Sequence, residues 1–322
     1  MKILVTGGAG YIGSTLVPLL LNAGHSVRVL DNLKHGGAPL LAVWSNPAFD
    51  FQPGDIRDRS AITSALLGIE AVVHLAAIVG DPACARDPEL ARSVNLEASL
   101  ALIEESRRSG VQRFVFASTC SNYGKMKDAH QFVDEESELM PVSLYAETKV
   151  AVEKVLLAGD DGQAWCPTPL RFATIFGTSP RMRFDLTVNE FTMEMLVKKR
   201  LVVFGEQFWR PYIHVYDAAR AIELVLESAS EKVAARVFNV GATDQNFQKQ
   251  QLVELIRPHA PDVTLEFVRK TEDPRDYRVS FSRISEELGF RITHTVSEGI
   301  AEVSKLVREG VIKDVEDRSY RN

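Results

Sequence analysis

The sequence predicts an α/β protein with a doubly wound parallel sheet, and three observations lead to this prediction. The chain opens with a short apolar run, Ile3 to Val5, which breaks into a glycine-rich turn and continues as apolar residues at helical spacing. A second apolar run, Ser26 to Leu30, follows as the next strand. Further strand-like runs then alternate with helical patterns. Continuous apolar strands that alternate with helices are typical of a parallel sheet covered on both faces.

The glycine-rich turn, residues 6–13 (TGGAGYIG), has the spacing of a turn that binds phosphate. Gly7 and Gly10 let the backbone approach a pyrophosphate, and Gly13 lets the helix pack close to the strand. The free N–H groups at the helix N-terminus would hold the anion. A tight turn between a strand and a helix also uses glycine for purely steric reasons, so the assignment depends on its context.

Asp31 supplies that context, because it ends the second strand about 20 residues beyond the turn. An acidic residue at this distance binds the ribose hydroxyls of an adenosine, and its carboxylate would repel a 2′-phosphate. The pattern therefore predicts a Rossmann-type domain that binds NAD rather than NADP. The alternative is that Asp31 only caps the end of a strand.

Composition excludes several classes of function. The chain has 322 residues, of which 45% are hydrophobic, and a net charge of −6, which argues against nucleic acid or an anionic membrane as the main partner. No apolar run reaches the roughly 18 residues needed to span a bilayer, and the N-terminus enters a strand at once, without a signal peptide. We expect a cytoplasmic protein without a metal site, because three cysteines that lack metal-type spacing fit a reducing compartment: Cys84, Cys120 and Cys166.

The next two predicted strands end at the same sheet edge. The first, Phe49 to Ile56, carries Asp55 near its end, where it contacts adenine or caps the helix predicted from Ser60 to Leu67. The second, Ala71 to Ala77, ends in small residues, as a backbone that passes close to a flat cofactor requires. His74 within it is predicted to be a packed core residue rather than a catalyst.

A long helix is predicted from Asp87 to Gly110, and the strand after it delivers a hydroxyl-rich segment, Ser118 to Gly124, to the same edge. Tyr145 and Lys149 then open a helical pattern and lie on one face of it. At this spacing the ammonium of Lys149 would stabilise the phenolate of Tyr145. The pKa of the tyrosine would then be lowered toward the range of a general base. A solvated helix also contains such pairs by chance, but together with the glycine turn this one is predicted to be the catalytic machinery.

Together these motifs resemble the extended short-chain dehydrogenase/reductases, specifically their NAD-dependent epimerase/dehydratase family. The resemblance covers nearly the whole chain and continues in residues 169–177 and 210–217, which resemble segments that flank the nucleotide pocket in UDP-galactose 4-epimerase-like enzymes. It implies a Rossmann domain of residues 1–172, to which residues 217–242 return. Residues 173–216 and 243–322 would form a smaller α/β domain that binds a nucleotide-diphosphate sugar.

The resemblance also implies roles for individual residues. Tyr145 would take the proton from a sugar hydroxyl, Lys149 would hold the nicotinamide ribose and tune Tyr145, and Thr119 would hydrogen-bond the oxygen that becomes a ketone. The implied cofactor-binding residues are Gly7, Gly10, Tyr11, Ile12, Gly13, Asp31, Asn32, Asp55, Ile56, Leu75, Ala76, Ala77, Asn95, Tyr145, Lys149 and Phe172. The implied substrate-binding residues are Thr119, Thr174, Asn189, Arg210 and Arg275.

The predicted sugar pocket departs from the family pattern. Arg210 and Arg275 suit a diphosphate because a guanidinium is a forked donor, although either could instead form a surface salt bridge. Thr174 stands where many relatives have asparagine, and Arg181 and Arg183 add two cations nearby. The resemblance to the galactose epimerases therefore does not identify the nucleotide base or the sugar of the substrate.

The reaction type depends on the two positions after Thr119, where the related 4,6-dehydratases have an aspartate and a glutamate. Here they are Cys120 and Ser121, neither of which is a competent acid near neutral pH. We therefore expect epimerisation at C4 through a transient 4-keto sugar. The alternatives are a 4,6-dehydratase, a decarboxylase or a 4-ketoreductase on the same scaffold and, more remotely, a non-catalytic NAD-binding regulator. Cys120 either acts as an acid, as a cysteine in this loop does in some epimerase-reductases, or is a small buried residue.

The resemblance further implies a homodimer. In the family, two subunits pair through the helix that carries Tyr145 and the helix predicted from Asp87 to Gly110. Both segments have apolar residues beyond a single stripe, which helices packed on two sides require.

Overall fold

The computed structural model describes residues 1–125, 131–158, 165–270 and 275–322. The strands within them are, in chain order, β1 (Lys2–Thr6), β2 (Ser26–Asp31), β3 (Phe49–Pro53), β4 (Ala71–His74), β5 (Arg113–Thr119), β6 (Cys166–Phe172), β7 (Thr174–Phe176), β8 (Arg200–Phe204), β9 (Trp209–His214), β10 (Phe238–Val240), β11 (Asn246–Gln248) and β12 (Thr264–Val268). The α-helices are α1 (Gly13–Asn22), α2 (Arg59–Ala65), α3 (Asp81–Arg86), α4 (Pro88–Arg92), α5 (Ala98–Arg108), α6 (Leu144–Ala158), α7 (Thr187–Val197), α8 (Val215–Glu227), α9 (Ser230–Val233), α10 (Lys249–Ile256), α11 (Ser282–Glu287) and α12 (Val296–Arg308).

Seven parallel strands form the largest sheet, in the order β10-β6-β5-β4-β1-β2-β3. Helices cover both of its faces, and the predicted doubly wound sheet is confirmed. β1 shows why its residues form a buried strand: Ile3 and Val5 pack into one apolar core, and Leu4 packs into another on the opposite face. All three side chains are fully buried. Burying each one contributes about 1.5–3 kcal/mol.

The helix predicted from Asp87 to Gly110 is interrupted. α4 ends at Arg92, residues Ser93–Glu97 form a π-helical turn, and α5 begins at Ala98. The π turn buries Asn95, whose Oδ1 accepts the backbone N–H of Ile78 at 2.8 Å and whose Nδ2 donates to the Ile78 carbonyl at 2.9 Å. Tertiary hydrogen bonds to the loop after β4 thus override the regular helix, as is frequent for π turns near functional sites.

The N-cap of α2 is Asp58, whose side chain accepts the backbone N–H of Ser60 at 2.8 Å. The alternative in which Asp55 caps this helix is therefore wrong. Asp58 lies directly before the helix, where the geometry of an N-cap requires it.

The later part of the chain forms two smaller sheets. One has the order β11-β9-β7, and the other pairs β12 with β8 in parallel. Both pack with α7, α10 and α12 around an apolar core of their own. β10 instead pairs with β6 at the edge of the large sheet, and α8 packs against α1. Among the helices described, none is long and apolar enough to cross a membrane.

Candidate active site

The glycine-rich turn joins β1 to α1 and lies beside the end of β4. Gly7 has a φ of +74°, and a Cβ at this position would lie 2.8 Å from the backbone nitrogen of Ala76. A Cβ at Gly13 would collide with the carbonyl oxygen of Gly7. Ile12 precedes α1 and has no side-chain polar atom to cap it, and no hydrogen bond within the described residues uses the backbone N–H groups of Tyr11, Ile12 and Gly13. The turn therefore fits the phosphates of a dinucleotide.

Asp31 ends β2 next to this turn. Its carboxylate accepts hydrogen bonds from the backbone N–H groups of Ala9 at 3.0 Å and Leu33 at 2.8 Å. Burial raises the pKa of Asp31, and these two hydrogen bonds oppose the shift. They hold the carboxylate at the edge of the sheet, where its remaining lone pairs can accept hydrogen bonds from two ribose hydroxyls.

Two residues predicted to lie near the adenosine contact each other. Asn32 Nδ2 donates to Asp55 Oδ2 at 3.1 Å, and Arg57 forms an ion pair with the same carboxylate at 2.9 Å. These hydrogen bonds, chiefly the one from Arg57, hold the pKa of Asp55 well below its usual range. Ile56 is buried in the core. The structure thus brings Asn32 and Asp55 together where β2 and β3 end.

The segment after β4 lies against the end of β1. Leu75, Ala76 and Ala77 are half-buried, and Thr6 accepts the backbone N–H groups of Leu75 at its carbonyl and of Ala76 at its hydroxyl. The ring of His74 hydrogen-bonds the hydroxyl of Thr6 at 2.7 Å, and burial lowers the pKa of this histidine to about 3. The prediction that His74 is a packed core residue is confirmed.

The three predicted catalytic residues lie on two adjacent elements. Thr119 ends β5, and Tyr145 and Lys149 lie one turn apart on α6. Lys149 Nζ donates to the carbonyl of Ala117 at 2.8 Å and lies 5.8 Å from the centroid of the Tyr145 ring. Thr119 Oγ1 accepts the backbone N–H of Ser121 at 3.1 Å. The ammonium and the phenol therefore meet at the edge where the parallel strands end.

The pKa of Tyr145 differs from the expectation. We expected the ammonium of Lys149 to lower it, but burial raises it, and Cys84 and Asp81 add to the increase. Burial also lowers the pKa of Lys149 to about 8. The expected lowering is absent because desolvation dominates, and the cation that opposes it is Arg183 rather than Lys149.

A buried carboxylate beneath these residues was missed by the sequence analysis. Glu153 on α6 accepts hydrogen bonds from Asn122 Nδ2 at 2.8 Å and from Arg171 Nη2 at 2.8 Å and Nε at 3.1 Å. The hydroxyl of Ser118 also donates to it. The available signal was a glutamate four residues after Lys149 in the same helical pattern, which places both side chains on one face of the helix.

The structure separates the two side chains that follow Thr119. Cys120 is buried, and its Sγ donates to the carbonyl of Arg171 at 3.2 Å. Burial raises the pKa of the Cys120 thiol well above its usual value. Ser121 Oγ instead accepts a hydrogen bond from the hydroxyl of Tyr277 at 3.4 Å. Of the two alternatives for Cys120, the small buried residue is the one that the structure supports.

The two arginines predicted to bind the diphosphate lie on different segments. Arg210 on β9 donates from Nη1 to the carbonyl of Trp209 at 2.6 Å, and its guanidinium lies 5.5 Å from the centroid of the Tyr277 ring. Arg275 Nη1 forms an ion pair of 2.8 Å with Asp81 at the start of α3. Because Tyr277 also contacts the loop after β5, these arginines lie near the predicted catalytic residues.

Asn189 is placed differently from the prediction that it binds substrate. Its side chain is fully buried and donates to the Tyr11 hydroxyl at 3.2 Å and to the carbonyls of Gly177 and Arg183 at 3.1 and 2.8 Å. Its Oδ1 accepts the backbone N–H of Gly177 at 2.9 Å. These bonds use its amide within the protein, so Asn189 joins the glycine turn to the chain after β7.

Two further predicted residues lie on consecutive strands. Phe172 ends β6 with its side chain in the core beneath the large sheet, and Thr174, at the start of β7, is half-buried. The side chain of Phe172 is therefore unavailable to a cofactor, and only its backbone can take the predicted role.

A phosphate-binding turn that shares one sheet edge with a tyrosine–lysine pair defines an enzyme that oxidises or reduces an alcohol carbon with a dinucleotide. The comparison with protein families agrees with this class. The model of the NAD dependent epimerase/dehydratase family matches residues 3–241, and the chain belongs to that family.

Individual relatives cover most of the chain. A UDP-glucose 4-epimerase of Corynebacterium glutamicum is 28% identical over 94% of each chain. A dTDP-glucose 4,6-dehydratase of Streptomyces griseus is 31% identical over 93% of this chain and 92% of the relative. The crystal structure of a UDP-glucose 4-epimerase from Thermotoga maritima with UDP-glucose is 28% identical and superposes with a TM-score of 0.85 over 97% of this chain and 100% of that chain. The chain is therefore similar both to 4-epimerases and to a 4,6-dehydratase.

Proposed function

We propose that the protein is a nucleotide-sugar 4-epimerase. The observation that carries the proposal is the absence of a carboxylic acid at the two positions after Thr119: Cys120 faces the core, and Ser121 contacts Tyr277. Elimination of water from a sugar needs an acid and a base beside the sugar carbons. Glu153 does not provide them, because it is buried and paired with Arg171.

The residues of the site support hydride transfer at one carbon. NAD, when bound, supplies the acceptor and donor of that hydride. Tyr145 takes the proton of the sugar hydroxyl at its phenol oxygen and returns it to the same oxygen, once the keto sugar has turned its other face toward the hydride donor. Lys149 is fixed by the carbonyl of Ala117, and its charge lowers the cost of forming the phenolate. Thr119 donates a hydrogen bond to the oxygen that becomes a carbonyl.

The substrate proposed is a nucleoside diphosphate sugar. Arg210 and Arg275 support this class, because both lie within reach of the cleft beside Tyr277 and their forked donors match phosphate oxygens. The solved relative with UDP-glucose supports the same class.

The test is turnover of candidate nucleotide sugars in deuterated water. A hexose product without solvent deuterium on carbon is expected, because the hydride returns to the carbon that it left. A 6-deoxy-4-keto product that carries deuterium would show a dehydratase. The control is Tyr145→Phe, which should lower turnover by about 10²–10⁴-fold, the usual contribution of a general base.

We also propose a homodimer, a two-domain division and a cytoplasmic location. Val155 on α6 is 45% exposed, which supports a contact between subunits through α5 and α6. Sedimentation that shows only monomer at micromolar concentration would reject the dimer.

The separate core of the smaller sheets supports the division of the chain at residues 172 and 242. Three buried free cysteines support a reducing compartment.

A further inference from the structure

Two arginines that the proposed reaction does not use lie buried after β7. Arg181 and Arg183 are only 5% and 8% exposed, and arginine is rarely buried to this degree unless it is paired. Arg183 has a partner, since its Nε and Nη2 donate to Asp185 at 2.9 and 2.7 Å. Among the described residues, the oxygens that Arg181 contacts are neutral and include the carbonyl of Arg321 at 3.1 Å and Asn322 Oδ1 at 2.9 Å.

The pair of arginines therefore carries an excess of buried positive charge. Within the parts of the chain that the structure describes, Asp185 is the one carboxylate in an ion pair with either of them, and the buried Nε of Arg181 has no hydrogen-bond partner. Burial and repulsion by Arg183 lower the pKa of Arg181 to about 10. A buried charge without a counter-ion is unfavourable, so this arrangement is typical of a site that receives an anion.

Both arginines are tied to the glycine turn and to the start of α1. The backbone N–H of Arg181 donates to Ser14 Oγ at 3.3 Å. The carbonyl of Arg183 accepts from Asn189 Nδ2 at 2.8 Å, and the same nitrogen donates to the Tyr11 hydroxyl at 3.2 Å. The turn supplies only N–H dipoles, whereas a diphosphate carries formal negative charge that a guanidinium neutralises.

The charges of the two arginines act on titratable groups on both sides of the turn. Desolvation, followed by repulsion from Arg181, lowers the pKa of His35, which follows β2 in the chain. Arg183 also acts on the phenol of Tyr11 within the turn and on that of Tyr145 at the proposed catalytic site. Arg210 and Arg275 lie elsewhere, beside Tyr277 and Asp81. Arg181 and Arg183 thus form a pair separate from Arg210 and Arg275.

We propose that Arg181 and Arg183 form an anion site beside the glycine turn that binds the diphosphate of the dinucleotide. The inference rests on the NAD dependence of the proposed function. The chain would then use separate arginine pairs for its two diphosphates, with Arg210 and Arg275 on the sugar nucleotide.

The test is a titration of the protein, freed of bound dinucleotide, with four probes: NAD, ADP-ribose, adenosine and UDP. The variants are Arg181→Gln and Arg183→Gln, and the control is Arg200→Gln, which removes an exposed arginine that is paired with Glu266 at 2.9 Å. Loss of a charge-assisted hydrogen bond should weaken the binding of NAD and ADP-ribose by about 10- to 100-fold. The Kd values for adenosine and UDP should not change, nor should any Kd of Arg200→Gln.

A second measurement separates binding from a purely structural role. If the site awaits an anion, Arg181→Gln removes an unpaired buried charge, so the Tm of the ligand-free protein should stay level or rise while the increase in Tm caused by NAD shrinks. A lower ligand-free Tm with an unchanged Kd for NAD would overturn the inference. Weaker UDP binding with unchanged NAD binding would also overturn it and assign the site to the substrate. Failure of the wild type to bind NAD would instead refute the proposed function.

Discussion

Glu153 and Arg171 form an ion pair inside the protein, with 2.8 Å between Oε2 and Nη2, and neither residue is more than 4% exposed. The same carboxylate accepts hydrogen bonds from Ser118 and Asn122, which flank Thr119 in sequence. Because Glu153 lies one turn after Lys149, this carboxylate ties the helix that carries Tyr145 to the strand that ends in Thr119. The ion pair thus sets the relative position of the predicted catalytic side chains.

Substitution of Glu153 should therefore be strongly destabilising. Glu153→Gln leaves the guanidinium of Arg171 buried without a counter-charge, and removing one partner of a buried pair typically costs about 3–5 kcal/mol. We expect a loss of this size in the free energy of unfolding, measured with denaturant. The matched control is Glu266→Gln, which breaks an exposed pair with Arg200 and should cost about 0–1 kcal/mol. Equal losses in the two variants would contradict the prediction.

Lys149 should make the stability of the ligand-free protein depend on alkaline pH. Burial lowers its pKa from the usual 10.5 to about 8, so the unfolded chain binds its proton more tightly than the folded protein does. The buried ammonium of Lys149 therefore lowers the free energy of unfolding by its full amount below pH 8. This destabilisation decreases as the pH rises from 8 to 10.5, the pKa of lysine in the unfolded chain, so stability increases over that range. The shift corresponds to roughly 3 kcal/mol.

The measurement is the free energy of unfolding of wild type and Lys149→Met at several pH values from 7 to 10.5. The difference between the two proteins isolates Lys149 from other groups that titrate in this range. We expect Lys149→Met to be more stable relative to wild type at pH 7 than at pH 10.5. A difference in stability that does not vary with pH would show that the pKa of Lys149 is not lowered in the folded protein.

Gly7 should be far less tolerant of a side chain than Gly24, although both have a positive φ. The strain of this backbone conformation costs an alanine about 1–3 kcal/mol at either position. A Cβ at Gly7 would also lie 2.8 Å from the nitrogen of Ala76, whereas a Cβ at Gly24 would have nothing within 4 Å. We expect Gly7→Ala to lose more stability in denaturant unfolding and to lose NAD binding, while Gly24→Ala keeps it. Equal NAD affinities would show that the turn does not hold the cofactor.

The sequence predicted those parts of the site that depend on neighbours along the chain. The turn around Gly7, the acid that ends β2 and the Tyr145–Lys149 pair each follow from local spacing, because a strand, a turn or one helical face determines them. The pairing of Glu153 with Arg171 was missed, since it joins α6 to β6 and leaves no local pattern. The π turn at Asn95 and the burial of Asn189 were missed for the same reason, because tertiary hydrogen bonds determine both.

The pKa of Tyr145 shows a second limit of the sequence. Spacing alone places the ammonium of Lys149 beside the phenol, and this part of the expectation agrees with the distance of 5.8 Å to the ring. The sign of the pKa shift depends on burial and on Asp81 and Cys84, which come from a distant segment. Desolvation is a property of the assembled protein, so helical spacing could not predict that burial raises the pKa of Tyr145.

The last prediction concerns Asp81, which holds Arg275 in the ligand-free structure. Its carboxylate accepts from Arg275 Nη1 at 2.8 Å and from Ser143 Oγ at 2.7 Å. If Arg275 binds the diphosphate of the substrate, the ion pair with Asp81 competes with that role. Asp81→Asn keeps an oxygen for Ser143 but removes the competing charge, so we expect UDP to bind more tightly. Since Arg275 is partly exposed, the gain should not exceed about fivefold.

Titration with UDP at low and high salt measures this effect. The gain from Asp81→Asn should shrink at high salt, because screening weakens an exposed ion pair. Asp50→Asn is the control, since it removes a carboxylate that is paired with Arg28 at 2.6 Å, and UDP affinity should not change. Arg275→Gln should weaken UDP binding whether or not Asp81 is present. Weaker binding of UDP by Asp81→Asn would mean that the carboxylate orients Arg275 toward the substrate rather than competing with it.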